Sequence, residues 1–327
     1  MRRVVHRAPR AAATLFASGL LLSAFLIRYN INVPGVIAVL AEARTPASQR
    51  GDYSPAVIKD VVYKTAGGRP LCLDLYPPEK RYFTKTPSVF FIGGSLDSGG
   101  MPDVTANEWT KLILGSGLAL ISVEYRPATG GAVFPVQPED CADAVRFMAM
   151  HADEYGLDKK RFCLMGVGDG GYLALLTALT GGRYATEGLG SEPFSVKCAV
   201  SLCGTTDLLD LEGLTGKARE RAERLYRDYI GGPAGALQER YRQASPLYQI
   251  RAGAPPVFLA HSAAKDPIPF SQAQRFYQSA LKKGLDVTLV KAETQGFYPT
   301  DGNAFLPASK ELIGALKGFL AKKLIFN

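Results

Sequence analysis

The chain has 327 residues, of which 47% are hydrophobic and 21% are charged. This composition excludes a disordered protein and a polytopic membrane protein, and the length fits one large domain or two smaller ones. The net charge is +8, but seven arginines and one acidic residue stand in the first 50 positions, so the remaining body is nearly neutral. A basic leader before a neutral body excludes a nucleic-acid-binding face and favours membrane targeting.

Residues 1–43 are predicted to be a signal anchor or a signal peptide. Four arginines precede the uncharged run Ala11–Ile27, which would form a helix about 26 Å long, close to the least that spans a bilayer. Basic residues before such a run favour an exported body. Ala41-Glu42-Ala43 has the small-x-small form of a cleavage site. We therefore expect a cell-envelope protein, either membrane-anchored with its domain on the exported side, or secreted or periplasmic after cleavage.

Polar, turn-forming residues over 44–56 predict a linker, and one α/β domain is predicted to follow over 57–327. Apolar residues recur at helical spacing between the predicted strands, over Phe270–Leu281 and Ser309–Leu320. A further helix is predicted where Cys141, Val145, Met148, Ala152 and Tyr155 share one face, with Gly156 closing its end. A charged stretch over about 211–244 is predicted to form a helical lid at the C-terminal edge of the sheet. Eight strands are predicted, and the first strands are expected to be antiparallel. They are Asp60–Tyr63, Leu71–Tyr76, Ser88–Ile92, Leu118–Tyr125, Arg161–Met165, Val196–Leu202, Pro256–His261 and Asp286–Ala292.

Metal chemistry finds little support in the sequence. The five cysteines show no CxxC spacing and the chain has three histidines, so no zinc-ligand pattern exists. We therefore expect neither a metal ion nor an organic cofactor.

The segment RFCLMGVGDGGYLALLTAL has the pattern of a strand, a tight turn and a helix. Its turn, Gly166 to Gly170, has the glycine spacing of the nucleophile elbow G-x-S-x-G. With LCLDLYPP, ASPLYQI and PPVFLAHSAAKDPIPF, this segment resembles the α/β-hydrolase superfamily. The similarity is to its esterase/lipase branch, the hormone-sensitive-lipase-like and feruloyl-esterase-like carbohydrate esterases. The resemblance implies an eight-stranded, mostly parallel sheet with helices on both faces and a helical lid insertion.

The resemblance also implies that two members of the catalytic triad are replaced. Gly168 stands at the position of the nucleophilic serine, and Gln295 stands where the family has its histidine base. Glutamine holds a hydrogen bond but does not accept a proton near neutral pH. Asp266 matches the acid of the triad. The sequence therefore predicts a pseudoenzyme.

The strand that precedes the oxyanion loop is altered as well. Where family members have His-Gly-Gly-Gly/Ser-Trp, this chain has Ile92 to Leu96, so that Gly93, Gly94 and Ser95 remain as an amide cradle or binding site. Asp169 is an alternative nucleophile, since some members of the superfamily use aspartate at the elbow, and it is also a candidate binding residue.

Two classes of function stay open at this stage. The first is a noncatalytic, exported or membrane-anchored module. It binds a small-molecule ester, a glycan or a protein ligand in the cleft above the elbow, where the family has its active site. The second is an active hydrolase of small or envelope-associated acyl esters that uses non-standard catalytic residues. Neither class involves nucleic acid, and in both the N-terminal segment contacts the membrane.

Overall fold

A computed structural model describes residues 56–102, 104, 108–129, 131–186, 195–262, 268–292 and 309–326. The predicted leader, all but the last residue of the predicted linker, Asp266 and Gln295 lie outside these ranges. In the part of the chain that the structure describes, no helix combines the length and apolar character that crossing a bilayer requires. The leader and its location stay predictions.

The centre of the fold is an eight-stranded sheet in the order β1-β2-β4-β3-β5-β6-β7-β8. The first two pairings, β1 with β2 and β2 with β4, are antiparallel, and the other pairings are parallel. This arrangement confirms the predicted fold class. The strands are β1 (Ile58–Ala66), β2 (Arg69–Tyr76), β3 (Thr86–Ile92), β4 (Ala119–Val123), β5 (Leu157–Val167), β6 (Val196–Leu202), β7 (Val257–Ser262) and β8 (Val287–Ala292).

Helices cover both faces of the sheet. They are α1 (Glu108–Gly115), α2 (Val136–Met150), α3 (Asp169–Thr180), α4 (Gly216–Ile230), α5 (Gln238–Ala244), α6 (Phe270–Lys282) and α7 (Lys310–Leu320). Helices α1 and α7 share one hydrophobic cluster, and α2, α3 and α6 share the other. Along β5, Phe162 and Leu164 face one cluster while Cys163 and Met165 face the other. Strands buried on both faces explain the unbroken apolar runs of β3 and β4.

The predicted lid stretch forms α4 and α5. Helix α4 is charged along most of its length, and its buried residues are Tyr226, Tyr229 and Ile230 near its end. Gly231 ends the helix with a φ of +88°, a conformation that favours glycine. The backbone oxygen of Tyr229 accepts a hydrogen bond from Phe134 N–H, so the end of α4 is held against the loop that precedes α2.

One helix prediction ran too far. The apolar spacing predicted helix as far as Tyr155, but α2 ends at Met150 with His151 as its C-cap. Residues 151–156 form turns, in which Gly156 has a φ of +65° and Leu157 N–H bonds to Ala152 O. Ala152 is nevertheless buried against the core. The apolar spacing correctly predicted that Ala152 is buried, but the buried segment extends beyond the end of the helix.

Candidate active site

The elbow lies between β5 and α3, at the carboxyl end of a central strand. Gly168 has a φ of +57° and a ψ of −123°, and it is the N-cap of α3. Its N–H donates to Leu202 O at the end of β6, and its own oxygen accepts from Tyr172 N–H in the first turn of the helix. A positive φ favours glycine, so the backbone at the tip is one that a residue with a side chain would adopt only under strain.

The two outer glycines of the turn are fixed by close backbone packing. A Cβ on Gly170 would lie 2.0 Å from Ile92 O at the end of β3, and a Cβ on Gly166 would lie 2.2 Å from the carbonyl carbon of Gly170. Neither contact is possible between non-bonded atoms. The G-x-x-x-G spacing is therefore a packing requirement of the elbow.

A further glycine, which the sequence did not single out, fits the start of α3 against β6. A Cβ on Gly204 would lie 2.5 Å from Tyr172 N and 2.4 Å from Ser201 Oγ. Its only sequence signal is its place directly after a buried strand, in SLCGTTDL.

The second part of the site is the cradle loop, residues 93–99, which follows β3. Gly94 has a φ of +78°, and Gly99 N–H donates to Ser95 O at 2.7 Å. Leu96, at the position where the family has tryptophan, is buried in the main core. The loop is therefore tightly folded and stays close to the elbow, since β3 and β5 are neighbours in the sheet.

The side chain of Asp169 joins the elbow to the cradle loop. Its Oδ2 accepts a hydrogen bond from Leu96 N–H at 3.0 Å and lies 3.3 Å from the hydroxyl of Ser95. The same hydroxyl also contacts Asp97. Burial raises the pKa of Asp169, the bonds from Leu96 and Ser95 oppose that rise, and the fields of Asp97 and Arg221 act in opposite directions.

Tyrosines enclose the same region. The Tyr125 hydroxyl is fully buried, has no hydrogen-bond partner among the described residues, and lies 3.5 Å from the position of a Cβ on Gly94. Burial raises the pKa of Tyr125, and the charge of Asp169 raises it further. On the lid side, the hydroxyl of Tyr226 lies 3.0 Å from Thr205 Oγ1.

The described histidines are poorly placed for catalysis. His261, on β7, is fully buried, and this burial lowers its pKa to about 4. His151 caps the end of α2 and stacks on Phe147. Since α2 runs back along the sheet from the carboxyl edge of the strands, His151 lies near the opposite edge.

Two predicted triad positions, Asp266 and Gln295, lie outside the described residues. The strands before them, β7 and β8, are parallel to β5, and they end at the same edge of the sheet as the elbow. Their roles, and that of Gly168 as the replaced nucleophile, stay predictions.

One acidic cluster, formed by Glu139, Asp140 and Asp143 on α2, has the spacing of metal ligands. Its centre holds the ammonium group of Lys64 from β1, whose Nζ lies 2.6 Å, 3.0 Å and 2.7 Å from these carboxylates in turn. Burial alone would lower the pKa of Lys64, but its hydrogen bonds outweigh burial and raise it. The cluster is therefore an ion-pair network that ties β1 to α2.

Comparisons with known proteins place this geometry in a family. The BD-FAE family model matches residues 73–280. Esterase LipC of Mycobacterium tuberculosis is 24% identical over 208 residues, which are 63% of this chain and 51% of LipC. The probable carboxylic ester hydrolase LipM of the same organism is 27% identical over 211 residues, 64% of this chain and 48% of LipM. The chain thus spans about half the length of these curated relatives.

Solved structures show the same fold. A truncated carbohydrate esterase from gut microbiota superposes with a TM-score of 0.68 at 18% identity, covering 84% of this chain and 98% of its own. Butyrate-bound esterase Est2 of Thermogutta terrifontis superposes with a TM-score of 0.61 at 23% identity, covering 82% of this chain and 92% of its own. With the family match over most of the sheet and the elbow, these likenesses show that the chain belongs to the BD-FAE family, within the esterase/lipase branch of the α/β-hydrolases.

Proposed function

We propose that this protein is a noncatalytic member of its family, a binding module that takes a small ester, a glycan or a protein segment in the old cleft. The observation that carries the proposal is the elbow itself. Gly168 has the positive φ of the tip but no hydroxyl or thiol there. In the elbow mechanism the residue at this tip supplies the attacking group, and glycine has no side chain to supply it.

The groups around the tip give further support. His261 is fully buried, so it does not reach a substrate in the cleft. The carboxylate of Asp169 accepts a hydrogen bond from Leu96 N–H, which holds it against the cradle loop. At the position of the base, the sequence has Gln295, which does not accept a proton near neutral pH.

A second candidate function is hydrolysis of small or envelope-associated acyl esters by non-standard residues. One observation favours it: the close glycine packing at Gly166 and Gly170 and the folded cradle loop are retained. Export and attachment through the N-terminal segment belong to the proposal for either function, and they rest on the pattern of residues 1–43.

The first experiment measures hydrolysis of p-nitrophenyl acetate and p-nitrophenyl butyrate by the purified full-length protein. A Gly168→Ser/Gln295→His variant serves as the comparison, and Gly235→Ser serves as a matched control at a glycine whose Cβ would meet open space. We expect no turnover above buffer for the native protein and the control, and measurable turnover for the double variant.

Turnover by the native protein that survives repurification would overturn the proposal. Asp169→Asn and His261→Ala would then show which group performs the reaction. If the Asp169 variant alone lost activity, the second candidate function would replace the first, with the aspartate as nucleophile.

A further inference from the structure

Three hydrogen-bond donors stand around one side of the cleft. They are the amide of Leu96, the hydroxyl of Ser95 and the hydroxyl of Tyr125. The first two contact a carboxylate oxygen at 3.0 Å and 3.3 Å. Amide and hydroxyl donors fixed by a folded loop form an arrangement that binds a negatively charged oxygen.

The carboxylate in question belongs to the chain. Asp169 directly follows the tip residue and reaches from the first turn of α3 to a loop 73 residues earlier in the sequence. It is partly buried, and burying a charge is costly unless hydrogen bonds compensate it. The bond from Leu96 N–H provides that compensation, while the Ser95 hydroxyl shares its one proton between Asp169 and Asp97.

Tyr125 gives an independent indication of an oxygen ligand. Its hydroxyl is fully buried beside Gly94 of the cradle loop, with no partner among the described residues. Buried hydroxyls are normally hydrogen-bonded. The charges that act on it most strongly include Asp169 and Asp97, so this donor faces the same acidic region.

We propose that the cleft contains a carboxylate-binding site, formed by Leu96 N–H, Ser95 Oγ and Tyr125 Oη, in which the side chain of Asp169 already engages Leu96 N–H and leaves Tyr125 Oη without a partner among the described residues. This inference deepens the proposed function and rests on it. With its own carboxylate in place, the cleft rejects acyl carboxylates and oxyanions at this position and selects ligands by other contacts.

The test uses acetate as the probe and the Leu96 amide as the reporter. Full-length protein labelled with ¹⁵N-leucine is titrated with acetate, and the Leu96 signal is assigned through its loss in Leu96→Ile. We expect a saturable shift in Asp169→Ala, and at least roughly tenfold weaker binding in the native protein, since a hydrogen-bonded charged partner contributes about one to two orders of magnitude in affinity.

Matched variants separate occupancy from charge. Asp169→Asn keeps an oxygen on the Leu96 amide without the negative charge, so we expect it to exclude acetate as the native protein does. Adding Tyr125→Phe to Asp169→Ala should weaken acetate binding by roughly tenfold. An unsaturable shift in Asp169→Ala, or an equal response in the native protein, would overturn the proposal.

A second measurement needs only the native fold. The Leu96 amide should follow the titration of the Asp169 carboxyl in the native protein and lose that response in Asp169→Asn, while Asp97→Asn and Arg221→Gln test the two neighbouring charges. A Leu96 signal that ignores pH would refute the contact. Neither readout depends on turnover, so a failure here is distinct from ester hydrolysis by the native protein, which would refute the proposed function.

Discussion

A single methyl group at Gly170 should destabilise the fold, although alanine is the better helix former. The Cβ of an alanine there would lie 2.0 Å from Ile92 O and 2.7 Å from the carbonyl carbon of Ile92. Both atoms belong to the backbone of a buried central strand, so no side-chain rotation relieves the contact. Overpacking of this kind costs about 1–3 kcal/mol or more, against a gain in helix propensity of about 1 kcal/mol. Because a 2.0 Å contact with backbone lies at the upper end of that cost, we expect the free energy of unfolding to fall by about 2 kcal/mol or more.

Gly314 provides the matched control. It also lies inside a helix, α7, but its Cβ would meet no atom within 4 Å. Gly314→Ala should therefore raise the free energy of unfolding by about 0.5–1 kcal/mol. Urea denaturation followed by circular dichroism measures both variants, with equal m-values as the condition for comparing them. A Gly170→Ala protein as stable as the native one would refute the packing account of the elbow.

Three further perturbations probe the buried polar groups. Lys64→Met should lower the free energy of unfolding by about 3–5 kcal/mol, because it leaves the buried carboxylate of Asp143 without its cation and leaves Asp140 with Arg126 alone. Arg219→Ala, at an exposed pair, should change it by less than about 1 kcal/mol in the same urea titration. Tyr172→Phe should lower the free energy of unfolding by about 1–3 kcal/mol, because the Tyr172 hydroxyl contacts the Tyr229 hydroxyl and Ala244 O, each at 2.9 Å. A double-mutant cycle with Tyr229→Phe measures the coupling between the two hydroxyls. His261 has a pKa of about 4 in the fold against 6.5 in a free chain, so the unfolded state binds more protons between these values. The contribution of His261 to the free energy of unfolding is therefore fully present above pH 6.5 and is lost towards pH 4, by about 3 kcal/mol in total. In a pH series of urea titrations, His261→Gln should remove this part of the pH dependence.

The sheet was predictable because each strand carries its own signal. Strands such as β3 and β4 are buried on both faces, which produces unbroken apolar runs that need no knowledge of their partners. The elbow was predictable for a similar reason. Its glycines lie within five positions of one another, and the contact between Gly166 and Gly170 is local in sequence.

The polar contacts between distant parts of the chain were not predictable in the same way. Asp169 bonds to an amide 73 positions away, and Lys64 contacts carboxylates 75 to 79 positions away. No periodicity encodes such pairs, because they depend on which strands become neighbours. The sequence did place Asp169 at the elbow as a candidate nucleophile or binding residue, but the amide that it contacts follows only from the pairing of β3 with β5.

The two residues at the elbow bear on different steps of ester chemistry. Glycine at 168 keeps the backbone conformation of the tip while it offers no atom to attack a carbonyl. That change alone would leave a cradle still able to bind a negatively charged oxygen. A carboxylate at 169 acts on the cradle instead, since Leu96 N–H already bonds to it, and an amide donor engaged by a resident anion is not available to a developing oxyanion. Under our proposal, recognition in this cleft therefore no longer relies on the acyl oxygen.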